Sequence, residues 1–181
     1  KTAYEILTCD WSSDVCSSDL FDYIAFRFFN ACGADTQARH GQAPGASHII
    51  ARILESLRDN KVFTLNGTDY TTDDGTCVRD YVHVADIAQA HITALTQRVE
   101  SGVYNLGANR GISNKQIIEA AERITGRKLS VVQGPQREGD PPVLTASPAK
   151  FDLTARGWRK YTLDDMIQHA WNWYVREDKK V

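Results

Sequence analysis

Arg79, Arg137 and Asp140 are the side chains whose types and spacing could do the most chemistry in this sequence. A guanidinium is a planar fork of N–H donors that matches the oxygens of a diphosphate, and it stays charged at any physiological pH. Asp140 follows Arg137 by three residues in a Gly-containing turn, where its carboxylate could accept from the two hydroxyls of a ribose. A ligand carrying a diphosphate, a ribose diol and a base edge needs such donors, such an acceptor and exposed backbone groups. The competing reading of each residue is a surface ion pair, which is common and weak.

Other reactive side chains have plainer readings. His83 and His91 have no ligand partners near them in sequence, so packing or hydrogen bonding is expected before metal binding. Asp69, Asp73 and Asp74 lack the spacing and terminal Glu of a calcium loop. Asn66-Gly67-Thr68 is formally a glycosylation sequon without consequence for a chain expected in the cytoplasm. Trp158, Trp171 and Trp173 read as core or interface aromatics. None of the four cysteines forms a Cys-x-x-Cys pair, which argues against a zinc site or a disulfide framework.

The elements that must position these residues alternate between strand and helix. Residues 23–29, YIAFRFF, read as a strand buried in a sheet and ended by Asn30. A Gly- and Pro-containing loop over 33–45 leads to a helix over about 47–58, with Ile49, Ile50, Ile53, Leu54 and Leu57 on one face. Residues 62–65 form a short strand. Ile87, Ala88, His91, Ile92 and Leu95 mark a helix from Val84, stopped by Gly102, and 103–106 form a second parallel-type strand. Ser113 and Gln116 form a capping box for a helix that ends at Gly126. Residues 129–132 read as a strand, Ser147 and Pro148 open a short helix, and Thr162 with Asp165 caps the last one. The order predicts an α/β fold.

With 42% hydrophobic and 24% charged residues in 181, the chain can bury a sizeable core. A net charge of −2 gives no electrostatic case for nucleic acid or an anionic membrane as partner, and no apolar run approaches a membrane span. Small molecules are the expected partners. The first twenty residues stand apart. Back-translated, residues 10–20 and 1–6 reproduce in one frame the two ends of a short-read sequencing adapter, so residues 1–20 are expected to be translated adapter. Genuine sequence then begins at Phe21, with 21–177 one domain and 178–181 a tail.

Six segments in order carry a resemblance: RFFNACGA at 27–34, SHII at 47–50, FTLNGTDY at 63–70, DGTCVRDYVHVADIAQAH at 74–91, VYNLG at 103–107 and REGDPPVL at 137–144. Over residues 21–177 the chain resembles the carboxyl-terminal half of the UDP-glucose 4-epimerases, NAD-dependent members of the extended short-chain dehydrogenase/reductase group. The resemblance implies the C-terminal part of a Rossmann-like doubly wound parallel sheet plus a small α/β substrate-binding domain. It implies UDP-glucose and UDP-galactose as ligands, NAD as cofactor, no metal, and a homodimeric parent. It matches Asn30 to a diphosphate contact, His48 and Ile49 to a second substrate-contacting pair, and Thr64, Leu65 and Asn66 to the segment whose backbone receives uracil. Arg79 and Arg137 match pyrophosphate-binding arginines, Asp140 the ribose-binding acid, and Leu144 the side chain that limits the sugar pocket. Phe28 and Phe29 fall where the strand passes the nicotinamide. Gln136 stands where many relatives carry a second arginine, and Ala31 where some carry proline.

The reaction that the resemblance implies oxidises the sugar at C4 with bound NAD and returns the hydride to the other face. It uses a Gly-rich phosphate turn and a Tyr followed four residues later by Lys. Neither pattern occurs in these 181 residues, so the chain is expected to be inactive as it stands. A nucleotide-sugar dehydratase or decarboxylase of the same superfamily would share the arginines, although residues 74–84 favour an epimerase. A catalytically silent UDP-sugar binding module is the alternative of another class. An unbroken sequence through the source locus is expected to show a Gly-rich turn and a Tyr-x-x-x-Lys upstream of the Phe21 codon. A start codon followed by KTAYEIL would instead make the front end real.

Overall fold

The computed structural model describes residues 22–177, so the segment read as adapter and the tail read at 178–181 lie outside it. In chain order the described elements are β1 (Ile24–Phe28), β2 (Asn30–Cys32), α1 (Ile49–Asp59), β3 (Phe63–Asn66), β4 (Val78–His83), α2 (Val84–Thr96), β5 (Gly102–Leu106), β6 (Gly111–Ser113), α3 (Asn114–Thr125), β7 (Val131–Gly134), β8 (Val143–Leu144), α4 (Ala149–Thr154) and α5 (Leu163–Glu177). Pairing is mostly parallel: β1 with β5, β3 with β7, and β4 with both β2 and β8, while β6 runs antiparallel to β4. This is the α/β architecture expected from the alternation of strands and helices.

The helices start and stop where their side chains direct. Ser113 accepts from the Gln116 N–H while Gln116 reaches back to the Ser113 N–H, the reciprocal capping box expected at α3, and Gly126 ends that helix at φ 67°. Thr162 and Asp165 likewise cap α5, the carboxylate accepting from Thr162 N at 2.8 Å. The α1 face of Ile50, Ile53, Leu54 and Leu57 packs with Ile117, Met166, Ile167 and Tyr174 in one core. A second core joins Val82 and Ala90 to Tyr104, Leu106, Phe151 and Trp158. Trp171 and Trp173 pack at the edge of the first core.

Several strand readings need correction. The first strand is half-exposed, with Phe28 50% accessible, because β5 is its only partner among the described residues and its other edge is open. Asn30 does not close the sheet there. The chain steps over at Phe29, and Asn30 opens β2 alongside Tyr81 of β4. The strand read at 62–65 lies one residue later, and that read at 129–132 lies two residues later, since ladder pairing fixes Phe63 opposite Val131. β4, β6 and β8 were not anticipated, being short segments whose strand character comes from their neighbours.

His83 fills the N-cap of α2: its Nδ1 accepts from Ala85 N at 2.9 Å, and its Nε2 lies 3.0 Å from Nδ1 of His169. The ring is fully buried and stacks on Tyr161 at 4.3 Å between centroids. Burial and the neighbouring His169 depress its pKa to about 4 from an ordinary 6.5, against an opposing pull from Asp165. A base whose folded pKa is depressed contributes stability that is complete above pH 6.5 and is lost as pH falls toward 4. The ceiling is about 3 kcal/mol at about 1.4 kcal/mol per pKa unit. Urea unfolding followed from pH 7 to 4.5 is expected to show this loss, and Asn at position 83, a good cap that does not titrate, should flatten the slope. Burial also lowers the His48 pKa, which leaves a smaller residual slope of the same sign.

Candidate functional site

Among the described residues β3 is a strand with one edge in use. Phe63 N donates to Ser130 O at 2.8 Å and Gly67 N to Gly134 O at 3.0 Å, so the odd-numbered residues face β7. By strand alternation the N–H and C=O groups of Thr64 and Asn66 face the opposite edge, where both residues line a cleft of about 370 Å³. Leu65 lines the same cleft, although its side chain belongs to the core. The amino end of α1 enters from the side through His48 and Ile49. His48 occupies the N-cap position without a capping hydrogen bond, so no cap side chain screens the positive end of the helix from the cleft.

β4 forms the floor. Arg79 and Tyr81 project on the cleft side, two residues apart as a strand requires, and Asn30 lies beside Tyr81 on β2 with its Nδ2 donating to Asp80 O at 2.8 Å. The Arg79 guanidinium is held by backbone oxygens, donating to Val78 O at 2.9 Å and Pro142 O at 3.5 Å, while its Nη2 faces Asp140 Oδ1 at 3.5 Å. Arg137 closes the wall: with the Asn66 amide oxygen turned toward it, it donates from Nε at 3.1 Å and Nη2 at 3.3 Å. Burial pushes the His48 imidazole below its ordinary pKa, which keeps it neutral at pH 7, and its Nε2 lies 3.1 Å from Gln42 Oε1.

One cleft therefore gathers Asn30, His48, Ile49, Thr64, Leu65, Asn66, Arg79, Arg137 and Asp140, drawn from segments more than a hundred residues apart. Leu144 does not line it; it sits on β8 in register with Arg79 and is 48% exposed. Phe28 and Phe29 also lie outside, at the carboxyl end of β1, where sheets of this type leave room for ligands. Gln136 turns away and donates to Asp69 Oδ1 at 2.9 Å. The sequence reading missed Arg52, Phe63, Cys77, Tyr81 and Asn114, all of which line the cleft. Tyr81 was within reach, since reading 78–83 as a strand would have put it on the face of Arg79.

Asp80 was missed as well. Its carboxylate, fully buried on the opposite face of β4, accepts from Ala108 N at 2.6 Å and Ala146 N at 3.0 Å. Gly107 makes this approach possible, since a Cβ there would stand 2.3 Å from the Ala146 side chain and 3.0 Å from Asp80 Oδ2.

The fold is thus an α/β sheet system whose cleft opens where strand ends meet the amino end of a helix, with two arginines and an aspartate aimed into it. The chain belongs to the NAD dependent epimerase/dehydratase family, which matches residues 7–107. It is 42% identical to a UDP-glucose 4-epimerase of Halalkalibacterium halodurans over 84% of this chain and 47% of that protein. A second UDP-glucose 4-epimerase, from Lactobacillus helveticus, is 41% identical over 90% of this chain and 51% of its own length. Among solved structures, a UDP-glucose 4-epimerase of Stenotrophomonas maltophila with bound NAD and formylated UDP-arabinopyranose superposes with a TM-score of 0.90 at 28% identity. That match covers 97% of this chain and 55% of the other. The chain spans about half the length of the curated relatives it matches.

Arg137 has a neutral amide as its hydrogen-bond partner, so replacing it leaves no buried carboxylate unpaired. Arg137→Met is expected to weaken binding of inorganic pyrophosphate by about 10- to 100-fold, the worth of a charge-assisted contact, with little change in thermal stability. Titration calorimetry and a melting curve on the same preparation check both halves of the expectation.

Proposed function

We infer that the cleft binds the UDP part of a UDP-sugar, and that the chain is the substrate-binding part of a UDP-glucose 4-epimerase. The observation that carries this is the convergence of Arg79, Arg137 and Asp140 beside the unpaired edge of β3. Arg79 and Arg137 meet the diphosphate, the α1 amino end adds its N–H groups, Asp140 accepts from the ribose hydroxyls, and the Thr64 and Asn66 backbone groups pair with the uracil edge. The relatives named as UDP-glucose 4-epimerases at about 40% identity support that substrate class.

NAD, when bound, would accept the hydride from sugar C4 and return it to the other face. Toward it this chain offers Phe28 and Phe29, and the half-exposed Phe28 ring at the open end of β1 fits a planar partner. Asn30 and His48 orient the diphosphate so that the sugar points toward that end. Proton transfer at the C4 hydroxyl requires a base that the sequence does not supply through a Tyr-x-x-x-Lys pair. The 181-residue chain therefore binds without turning over.

Calorimetry with the whole chain should show UDP binding and far weaker uridine binding, because most of the designed contacts address the diphosphate. UDP-glucose incubated with the chain and NAD should yield no UDP-galactose. Absence of UDP binding would sink the substrate reading, and turnover would sink the claim of inactivity.

A further inference from the structure

The cleft holds a third guanidinium that the diphosphate does not need. Arg52 lies in the first turns of α1, half-buried, with its Cζ 5.5 Å from the centroid of Phe63. Both residues line the cleft. Among the described residues the Arg52 guanidinium has neither a carboxylate nor a hydrogen-bond acceptor, and it lies over the ring of Phe63. Arg79, Arg137 and Arg127, by contrast, each donate to protein oxygens. A planar array of N–H donors held at a cleft wall without an acceptor is built to receive one.

Its place along β3 decides what that acceptor is. Arg137 stands at the Asn66 end of the strand and Arg52 at the Phe63 end, roughly 10 Å apart by strand rise. A diphosphate between Arg79 and Arg137 leaves the base lying along the open edge toward Phe63, and the edge of the base farthest from the phosphates then meets Arg52. We propose that Arg52 reads that edge: it donates to a ring carbonyl of uracil and so selects a pyrimidine dione over an aminopyrimidine. Arginine has donors only. The carbonyl at C4 of uracil accepts from them, whereas the amino group at C4 of cytosine presents hydrogen to hydrogen and leaves donors on both sides unpaired. The ring of Phe63 holds the guanidinium plane while the ligand enters.

This inference rests on the UDP reading of the cleft, and one set of titrations separates the two. UDP and CDP are titrated into the whole chain and into Arg52→Met, which keeps the apolar stem against Phe63 and removes the donors. The unsubstituted chain is expected to prefer UDP by about tenfold or more, the loss expected when a buried donor meets no acceptor. In Arg52→Met, UDP affinity should fall toward that of CDP while CDP affinity stays constant. Equal weakening of both ligands would show Arg52 acting only as a charge on the diphosphate, and unchanged affinities would show it acting on neither; each result overturns the proposal. Arg52→Lys, which keeps a donor of similar reach, should retain the preference, and its loss there as complete as in Arg52→Met would overturn the hydrogen-bonding role. UDP binding without preference over CDP defeats this inference and leaves the cleft reading intact. No binding of either nucleotide defeats both.

Discussion

The buried carboxylate of Asp80 is the constraint on which the site depends. A carboxylate taken out of water is tolerated only if its oxygens are matched, and here two backbone N–H groups match them, from Ala108 after β5 and Ala146 after β8. Asp80 thereby ties the central strand to the two segments on either side of it. Because β8 pairs with β4 at Val78 and Arg79, the Ala146 bond also sets the register of residues 140–144 against Arg79. The geometry of Arg79 and Asp140 is in that sense decided on the far side of the sheet. The carbonyl of the same residue fixes Asn30 from β2. One residue thus orders the floor and two walls of the cleft without lining it.

The division of labour within strands follows from the same alternation. On β4, Arg79 and Tyr81 serve the cleft and Asp80 serves the fold. On β3, Phe63 and Leu65 carry side chains into the core and direct their backbone groups to β7, while Thr64 and Asn66 turn theirs toward the cleft. A two-stranded parallel ladder is weak by itself, and this one is held by the packing of Phe63 and Leu65 into the core that α1, α3 and α5 share. Arg127 adds a second tie, donating to the carbonyls of Leu57 and Arg58 at the end of α1. The open edge can stay open because the buried face is anchored.

The helices were legible in the sequence because their signals are local: a capping box at Ser113 and Gln116, a left-handed Gly126, a four-residue apolar rhythm in α1 and α5. Arg79, Arg137 and Asp140 were legible by side-chain chemistry, and Asn30, His48, Ile49 and residues 64–66 by resemblance. What stayed hidden was non-local. β6 and β8 run to three and two residues, too short for a period of two to register, and exist because β4 lies between them. Nothing local marks Asp80, and only the return of residues 108 and 146 to its side reveals its burial. Arg52 carries no such signal, since nothing in the sequence places Phe63 beneath it.

The cleft also shows how an arginine can be prepared for an anion without being spent on one. A tight carboxylate partner would hold Arg79 in place, but a ligand would then have to displace it and leave that carboxylate unpaired. Here two carbonyl oxygens do the holding, and Asp140, 42% exposed and 3.5 Å away, is only loosely engaged. An ion pair that is long and open to water contributes little, so its loosening costs little. The guanidinium keeps its orientation and its unmatched charge, and Asp140 keeps oxygens free for hydroxyl groups. With His48 neutral, three guanidinium groups face a single carboxylate across about 370 Å³, an imbalance that a ligand with two phosphate charges would remove. The unmatched positive charge destabilises the empty cleft slightly, and that same term would favour an anion placed there.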